Sequence, residues 1–158
     1  MKIKNKEGRV IHEGNRSNRY GDLDLHNAVF AGMLLPGAHF DDSNLEGANF
    51  RGADLYWGHF FLANLAEADF DGAQLQGADF KKANLRKANL KNANLSRDNV
   101  GGSTQLQGAD LTEAKVLGAN FEGAEYDDET VFPEGFDPKE HKMIFKQRRT
   151  HGPSNPVR

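Results

Sequence analysis

The sequence predicts an all-β solenoid, in which the chain winds through square coils that stack along one axis. Three features of residues 21–130 predict it: a large apolar residue every five positions, a small residue two positions earlier, and frequent glycine two positions later. A period of five fits neither regular element, because such side chains would scatter around a helix and alternate between the faces of a strand. A quarter turn of the chain per five residues would direct all of them to one interior.

The apolar series continues without a gap to residue 100 and resumes at residue 106. Its members are Leu25, Phe30, Leu35, Phe40, Leu45, Phe50, Leu55, Phe60, Leu65, Phe70, Leu75, Phe80, Leu85, Leu90, Leu95 and Val100, then Leu106, Leu111, Val116, Phe121 and Tyr126. We predict that its leucine and phenylalanine side chains form the structural core. Alanine, as at Ala48, leaves space in the narrow interior, and glycine, as at Gly52, suits a turn that requires φ > 0.

A square coil also predicts a period of 20 residues, and the sequence contains one. Phe30, Phe50 and Phe70 would then stack on one side of the interior, while leucines fill the neighbouring sides. Adjacent coils would pair like parallel strands, about 4.8 Å apart. We therefore expect about five coils, in a rod on the order of 25 Å long.

The repeated five-residue word, A-(N/D)-(L/F)-x-G, occurs for example as ANFRG at residues 48–52. In this word the chain resembles the pentapeptide-repeat family, whose fold is a right-handed quadrilateral β-helix, a hand that parallel crossovers also favour. Some members of that family imitate double-stranded DNA and bind DNA gyrase. The resemblance therefore implies an alternative function, a DNA-mimicking modulator of a type II topoisomerase, although the net charge of −3 is only mildly negative.

Both ends of a coil stack must be covered, and the flanking segments suit that role. Residues 1–20 read as an N-terminal cap of two short strands around residues 6–8. Residues 131–149 read as a C-terminal capping segment with a short helix, since Asp137 suits the N-cap and Pro138 the first helical position. We expect residues 150–158 to form a disordered tail.

The stretch from Val100 to Gln105 shifts the apolar series by one residue. Glycines at positions 101 and 102 would permit one extra residue at a corner, as a small bulge. A flexible corner that contacts a partner is the alternative interpretation. The series itself resumes at Leu106 under either interpretation.

Composition limits the classes of function. The hydrophobic fraction is 37%, which predicts a thin core, and the absence of cysteine excludes disulfides and thiolate chemistry. The sequence contains no apolar run as long as that of a signal peptide or a membrane span, so we expect a cytoplasmic protein with no membrane partner. The small net charge gives no reason to expect direct nucleic-acid binding.

One stretch, YWGHFFL at residues 56–62, replaces the polar word with aromatic residues. Phe60 belongs to the inward series, whereas the other large side chains should point outward, and we call these the aromatic face. The aromatic face consists of Tyr56, Trp57, His59, Phe61 and Leu62. Exposed aromatic groups of this kind are typical of contact surfaces. They indicate a non-enzymatic interaction module or scaffold, a monomer or homodimer that binds a protein partner or its own copy.

Two charged pairs should flank the aromatic face, Asp41 with Asp42 on one coil and Lys81 with Lys82 on another. Cover by the chain itself remains an alternative, either by the N-terminal segment or by the apolar residues near the C-terminus. Those C-terminal residues are Phe132, Phe136, Met143, Ile144 and Phe145.

His39, His59 and Asp79 should lie in one outward column, which suggests a metal site at first sight. Zinc in proteins usually has four ligands, and the sequence shows no third and fourth ligand that converge on the two imidazoles. Tight five-residue repeats also leave no cleft for catalysis. We therefore expect no metal, no cofactor and no enzymatic activity.

Overall fold

The structure is a computed structural model, and it describes residues 2–13 and 18–147. From Asp24 to Asn94 the chain forms parallel β-bridges between residues that are 20 positions apart, such as Asn44 with Asn64. Each bridge uses one residue of a side, and a turn separates one side from the next. Four five-residue sides therefore make one square coil, as the period of 20 predicts.

The interior contains the side chains of the five-residue series, and its leucines and phenylalanines are 0–2% exposed from Leu25 to Leu111. Phenylalanine rings 20 residues apart stack face to face, with ring centroids 4.8 Å apart for Phe30 and Phe50 and 4.9 Å apart for Phe50 and Phe70. The two phenylalanine columns meet edge to face, as between Phe50 and Phe60. Each buried ring or leucine contributes about 1.5–3 kcal/mol to folding.

The corners have the left-handed backbone that the glycine positions indicate. The nine corner glycines from Gly32 to Gly123 have φ values between +60° and +78°. An L-residue pays a steric cost in this region that glycine avoids, which explains why the repeat favours glycine there.

Two short strands form an antiparallel hairpin before the first coil. They are β1 (Lys2–Lys4) and β2 (Val10–Glu13), and Ile3 is 1% exposed beneath them. Backbone contacts join this hairpin to the coil stack, since the Lys6 N–H donates to the Asn27 carbonyl at 3.1 Å. The hairpin thus lies on the N-terminal end of the core.

The C-terminal capping helix was a wrong prediction, because the described residues contain no helix. Asp137 does cap a turn, since its Oδ1 accepts from the Lys139 N–H at 2.8 Å. The turn ends at Lys142, where φ is +54°. The chain then forms β4 (Ile144–Phe145), which pairs in parallel with β3 (Glu125–Tyr126) and extends the ladder. The tail at 150–158 lies outside the described residues.

The one-residue bulge was also a wrong prediction. Bridges that span this stretch join residues 26 positions apart, as in Asp79 with Gln105, so six residues lie outside the coil. Leu106 follows Gln105 and takes the place beneath Phe80, while Val100, expected to point inward, is 83% exposed. Asp98 organises this loop, because its Oδ1 accepts from the Gly102 N–H at 2.6 Å.

The described residues include no helix with the length and apolar character that a membrane span requires.

Candidate protein-binding face

The aromatic face occupies two corners of one coil and the side between them. Tyr56 and Trp57 form the corner after Leu55, and Phe61 and Leu62 form the corner after Phe60. Trp57 is 44% and Leu62 47% exposed, whereas Tyr56, His59 and Phe61 are half-buried. All five predicted residues therefore contribute to one surface.

Trp57 lies with its indole flat along the rod. A methyl group added to the Gly77 Cα would come within 3.2 Å of Trp57 Cε2, and one added to the Gly102 Cα within 2.6 Å of Trp57 Cζ2. The ring therefore covers the corner of the next coil and one end of the six-residue loop. A side chain at either position would crowd the indole, so one ring face is packed and the rest is open to solvent.

Leu62 and Phe61 form the second corner. The Phe61 N–H donates to Asp41 Oδ1 at 2.9 Å, which ties this corner to the coil above. On the other side, Lys82 Nζ lies 6.0 Å from the centre of the Phe61 ring, within reach of a cation–π contact. The apolar corner is thus bounded by a carboxylate on one side and by an ammonium group on the other.

His59 lies midway between the two corners, in a ladder of outward residues. Its imidazole stacks on that of His39, with ring centroids 4.3 Å apart and planes 3° apart. Asp79 follows in the ladder, but its Oδ2 pairs with Lys81 Nζ at 3.1 Å. The column predicted from the 20-residue spacing therefore contains two stacked rings and a separate ion pair.

A groove of about 400 Å³ borders Phe61 on the basic side. Lys81, Lys82, Gln105 and Lys146 line it. Lys81 Nζ donates to Gln105 Oε1 at 2.9 Å, and Lys146 Nζ lies 3.5 Å from Glu125 Oε1. Neighbouring side chains therefore hold and partly neutralise two of the three lysines.

Two arginines elsewhere on the rod pair with carboxylates of neighbouring coils. Arg51 lies 3.0 Å from Asp71, and Arg86 lies 3.1 Å from Asp110. Burial alone would raise the pKa of Asp110, but hydrogen bonds from Thr112 and Arg86 outweigh it and hold that pKa below its ordinary value. Neighbouring carboxylates therefore partly neutralise these two arginines.

Among the described residues, the apolar C-terminal side chains pack on the last coil and on one another. Phe136 contacts Phe121 with ring centroids 5.2 Å apart, and Phe145 contacts Tyr126 at 5.5 Å. The aromatic face itself is covered in part by the six-residue loop, through Gly102. That contact could not be expected from the sequence, because it depends on a loop that the five-residue period conceals.

The sequence profile of the pentapeptide repeats matches the chain in 8 copies, over residues 24–60, 59–97 and 104–125. The interval between the last two matches lies within the six-residue loop and its flank. The comparison with curated proteins gave no match.

Solved structures of similar chains include a pentapeptide repeat protein of the Arabidopsis thaliana thylakoid lumen. It is 38% identical, with 69% of this chain and 68% of that chain covered and a TM-score of 0.48. Another is Rfr23 from the cyanobacterium Cyanothece, 33% identical over 63% of both chains, with a TM-score of 0.41. A third is QnrB1, a plasmid-mediated fluoroquinolone resistance protein, 22% identical over 75% of this chain and 77% of that chain, with a TM-score of 0.43.

Proposed function

Because the chain belongs to the pentapeptide-repeat family, with its right-handed β-helix, we propose that it is a non-enzymatic protein-binding scaffold. The aromatic face is the binding surface, and the partner is a second copy of the chain or another protein. Stacked coils suit this role, because a rod of rigid five-residue sides holds surface side chains at fixed spacings.

The backbone at Trp57 and Leu62 is the observation that carries this proposal. Both residues have φ near +57°, at corners where other repeats use glycine or a polar residue. A non-glycine residue in this region costs about 1–2 kcal/mol. Among the described residues with positive φ, these two have large apolar side chains, and both side chains remain exposed. The other described non-glycine residues with positive φ are all polar or charged, so a large apolar side chain at this conformation distinguishes these two corners and suits a contact surface.

Charge around the aromatic face favours a partner of opposite polarity. Asp42 and Lys82 occupy the same corner as Leu62, one coil before and one coil after it. A second copy related by a two-fold axis through this corner would set Asp42 of each copy against Lys82 of the other. Such self-complementarity is the usual geometry of a homodimer.

Solution mass measured by light scattering over a range of concentrations tests self-association. We expect the double variant Trp57→Ser, Leu62→Asn to abolish it, with far-ultraviolet circular dichroism unchanged. Leu117→Ser is the matched control, because Leu117 is 77% exposed at another corner. Equal loss of association in the control would contradict the assignment to this face.

Charge exchange distinguishes a second copy from another partner. We expect Lys82→Glu and Asp42→Lys each to weaken self-association, and an equimolar mixture of the two variants to restore it in part. If the wild type stays monomeric at every concentration, the partner is another protein. Capture of that protein must then be lost in the Trp57→Ser, Leu62→Asn variant and retained in Leu117→Ser.

The DNA-mimicking alternative predicts a different result. It requires a negative surface along the rod, whereas Arg51, Lys82 and Arg86 interrupt the acidic ladders. A gyrase supercoiling assay with excess protein tests it directly. Inhibition that Lys82→Glu strengthens would favour mimicry over the scaffold, while no effect at high excess would remove the alternative.

A further inference from the structure

We propose that His39, His59 and Asp41 form a binding site for a divalent transition-metal ion of the zinc class. The sequence offers His39, His59 and Asp79 as a column and shows no further ligand. The structure brings in Asp41 instead, from the corner that follows Phe40. One ligand atom from each of the three residues lies within 4.8 Å of the other two.

The two imidazoles are close enough together to share an ion. They project side by side from neighbouring coils, with ring centroids 4.3 Å apart and nearly parallel planes. Two ligand atoms on one zinc ion, each at about 2.0–2.1 Å, lie roughly 3.4 Å apart. Because a metal ion lies in the plane of each imidazole that binds it, the two parallel rings must turn out of their stacked arrangement. Both side chains project from the surface, where His39 is exposed and His59 is half-buried.

Asp41 is held in position to complete the set. Its Oδ1 accepts the Phe61 N–H at 2.9 Å, which fixes the carboxylate against the next coil. Its Oδ2 points the other way and lies 3.9 Å from His39 Nδ1, too far for a hydrogen bond and close enough to share an ion. A ligand oriented by a second hydrogen bond is the usual arrangement in metal sites.

Asp79 is the weaker candidate, although it lies in the same ladder as the imidazoles. Its carboxylate is bound to Lys81 Nζ at 3.1 Å, and its Oδ1 accepts the Lys81 N–H at 2.9 Å. A bound cation would have to displace the lysine ammonium group first. Asp41 has no such competitor among its described contacts.

The charges that surround the site favour a cation overall. Asp22 and Asp42 line the groove of about 370 Å³ that also contains His39 and Asp41. Arg19 also lines this groove and carries a positive charge, and its backbone forms a parallel β-bridge with His39. Removal of this positive charge should therefore raise the affinity for a cation.

The donor set indicates the class of ion. Two imidazole nitrogens and one carboxylate oxygen suit Zn²⁺, Ni²⁺ or Cu²⁺, whereas Mg²⁺ and Ca²⁺ prefer oxygen ligands alone. Three protein ligands leave at least one coordination position open. Since His59 belongs to the aromatic face, that position is exposed on the surface assigned to protein binding, but the site does not depend on that function.

Isothermal titration calorimetry of the chelator-treated full chain with ZnCl₂ tests the proposal. We expect one Zn²⁺ ion per chain and no comparable heat with MgCl₂. His39→Gln and His59→Gln should each weaken Zn²⁺ binding at least tenfold. Asp41→Asn should weaken Zn²⁺ binding severalfold, because a neutral amide oxygen is a poorer ligand than a carboxylate. The asparagine oxygen can still accept the Phe61 N–H, so the corner should keep its structure. Arg19→Gln should tighten Zn²⁺ binding.

His26→Gln is the matched control, because His26 is also exposed but pairs with Asp24, away from these three residues. We expect its Zn²⁺ affinity to equal that of the wild type, and circular dichroism to confirm that every variant folds. Binding that survives in both His39→Gln and His59→Gln, or no Zn²⁺ binding in the wild type, would overturn the proposal. Neither result depends on Trp57 or Leu62, so the scaffold function is tested separately.

Discussion

The regular coils, residues 24–95, and the interrupted part, residues 96–131, use the same repeat but complete their hydrogen bonds differently. In the regular coils the N–H of the second corner residue typically donates to a backbone carbonyl of the next coil, as Gly52 does to Asp71 at 2.9 Å. At two corners on either side of the interruption, a side chain of residues 96–131 replaces that carbonyl. The Gly77 N–H donates to Thr104 Oγ1 at 3.2 Å, and the Gly108 N–H to Asp127 Oδ1 at 2.9 Å.

This difference teaches where the repeat tolerates change. A regular coil depends on many equivalent contacts, so its stability is distributed over stacked rings and backbone bonds. An interruption depends on one or two polar side chains, each of which must satisfy a buried backbone group. The three predictions below test this contrast.

The largest effect is expected in the regular coils, at Phe50. Its ring stacks on Phe30 and Phe70, and Phe50→Ala should lower the free energy of unfolding by about 3–5 kcal/mol. Phe50→Leu should cost roughly 1.5 kcal/mol, because leucine fills the equivalent position in other columns. Urea unfolding followed by circular dichroism measures both. A loss below about 1 kcal/mol for the alanine variant would show that the ring columns do not dominate stability.

A smaller effect is expected in the interrupted part, at Thr104. The hydroxyl accepts from the Gly77 N–H and donates to the Leu75 carbonyl at 2.9 Å. Thr104→Val keeps the shape but leaves the buried Gly77 N–H unpaired, at a cost of about 1–3 kcal/mol. Since Gly77 lies beneath the Trp57 ring, the indole fluorescence should also change. Thr104→Ser is the control, and an equal loss there would assign the effect to the methyl group.

The smallest effect is expected where the phenylalanine column ends, at Tyr20. Its ring stacks on Phe40 with centroids 4.9 Å apart, and its buried hydroxyl has no hydrogen-bond partner among the described residues. Tyr20→Phe should therefore raise stability by about 1 kcal/mol or less. A loss of stability on thermal unfolding would instead show that the hydroxyl has a partner.

The same variant gives a pH dependence with a defined sign. Burial raises the pKa of Tyr20, so the folded state holds that proton more tightly than the unfolded state. The stability that depends on this proton is fully present below the tyrosine pKa of the unfolded state, about 10. It is lost as the pH rises through the higher pKa of Tyr20 in the folded state. The wild type should therefore lose more stability above pH 10 than Tyr20→Phe does.

The sequence predicts the coil because a five-residue period has few physical solutions, and the inward side chains follow from it. It concealed the six-residue loop because Val100 falls on the period by coincidence. One signal was present: Asp98 stands two positions before Val100, where neighbouring repeats have alanine, and a carboxylate does not fit the dry interior. The prediction of a C-terminal helix was wrong because the local capping signals at Asp137 and Pro138 do not reveal that β4 pairs with β3 and extends the ladder.

The candidate surfaces were less predictable than the coil. Outward positions in the aromatic face follow from the period, but the contact of Trp57 with Gly102 needs the loop. The place of Asp41 beside His39 and His59 depends on how a corner carboxylate turns, and its hydrogen bond to the Phe61 N–H decides this. Spacing alone specifies which residues share a column and not how their side chains rotate.

The 20-residue bridge spacing has a consequence for how such a protein can lengthen. Duplication of 20 residues within the regular coils would add one complete coil and leave every later side chain on the same face of the rod. Duplication of five would rotate everything beyond it by a quarter turn and separate the columns. The loop at residues 98–103 shows a third route, because a loop that leaves the coil and returns to it at the same corner changes the chain length without rotating the later coils.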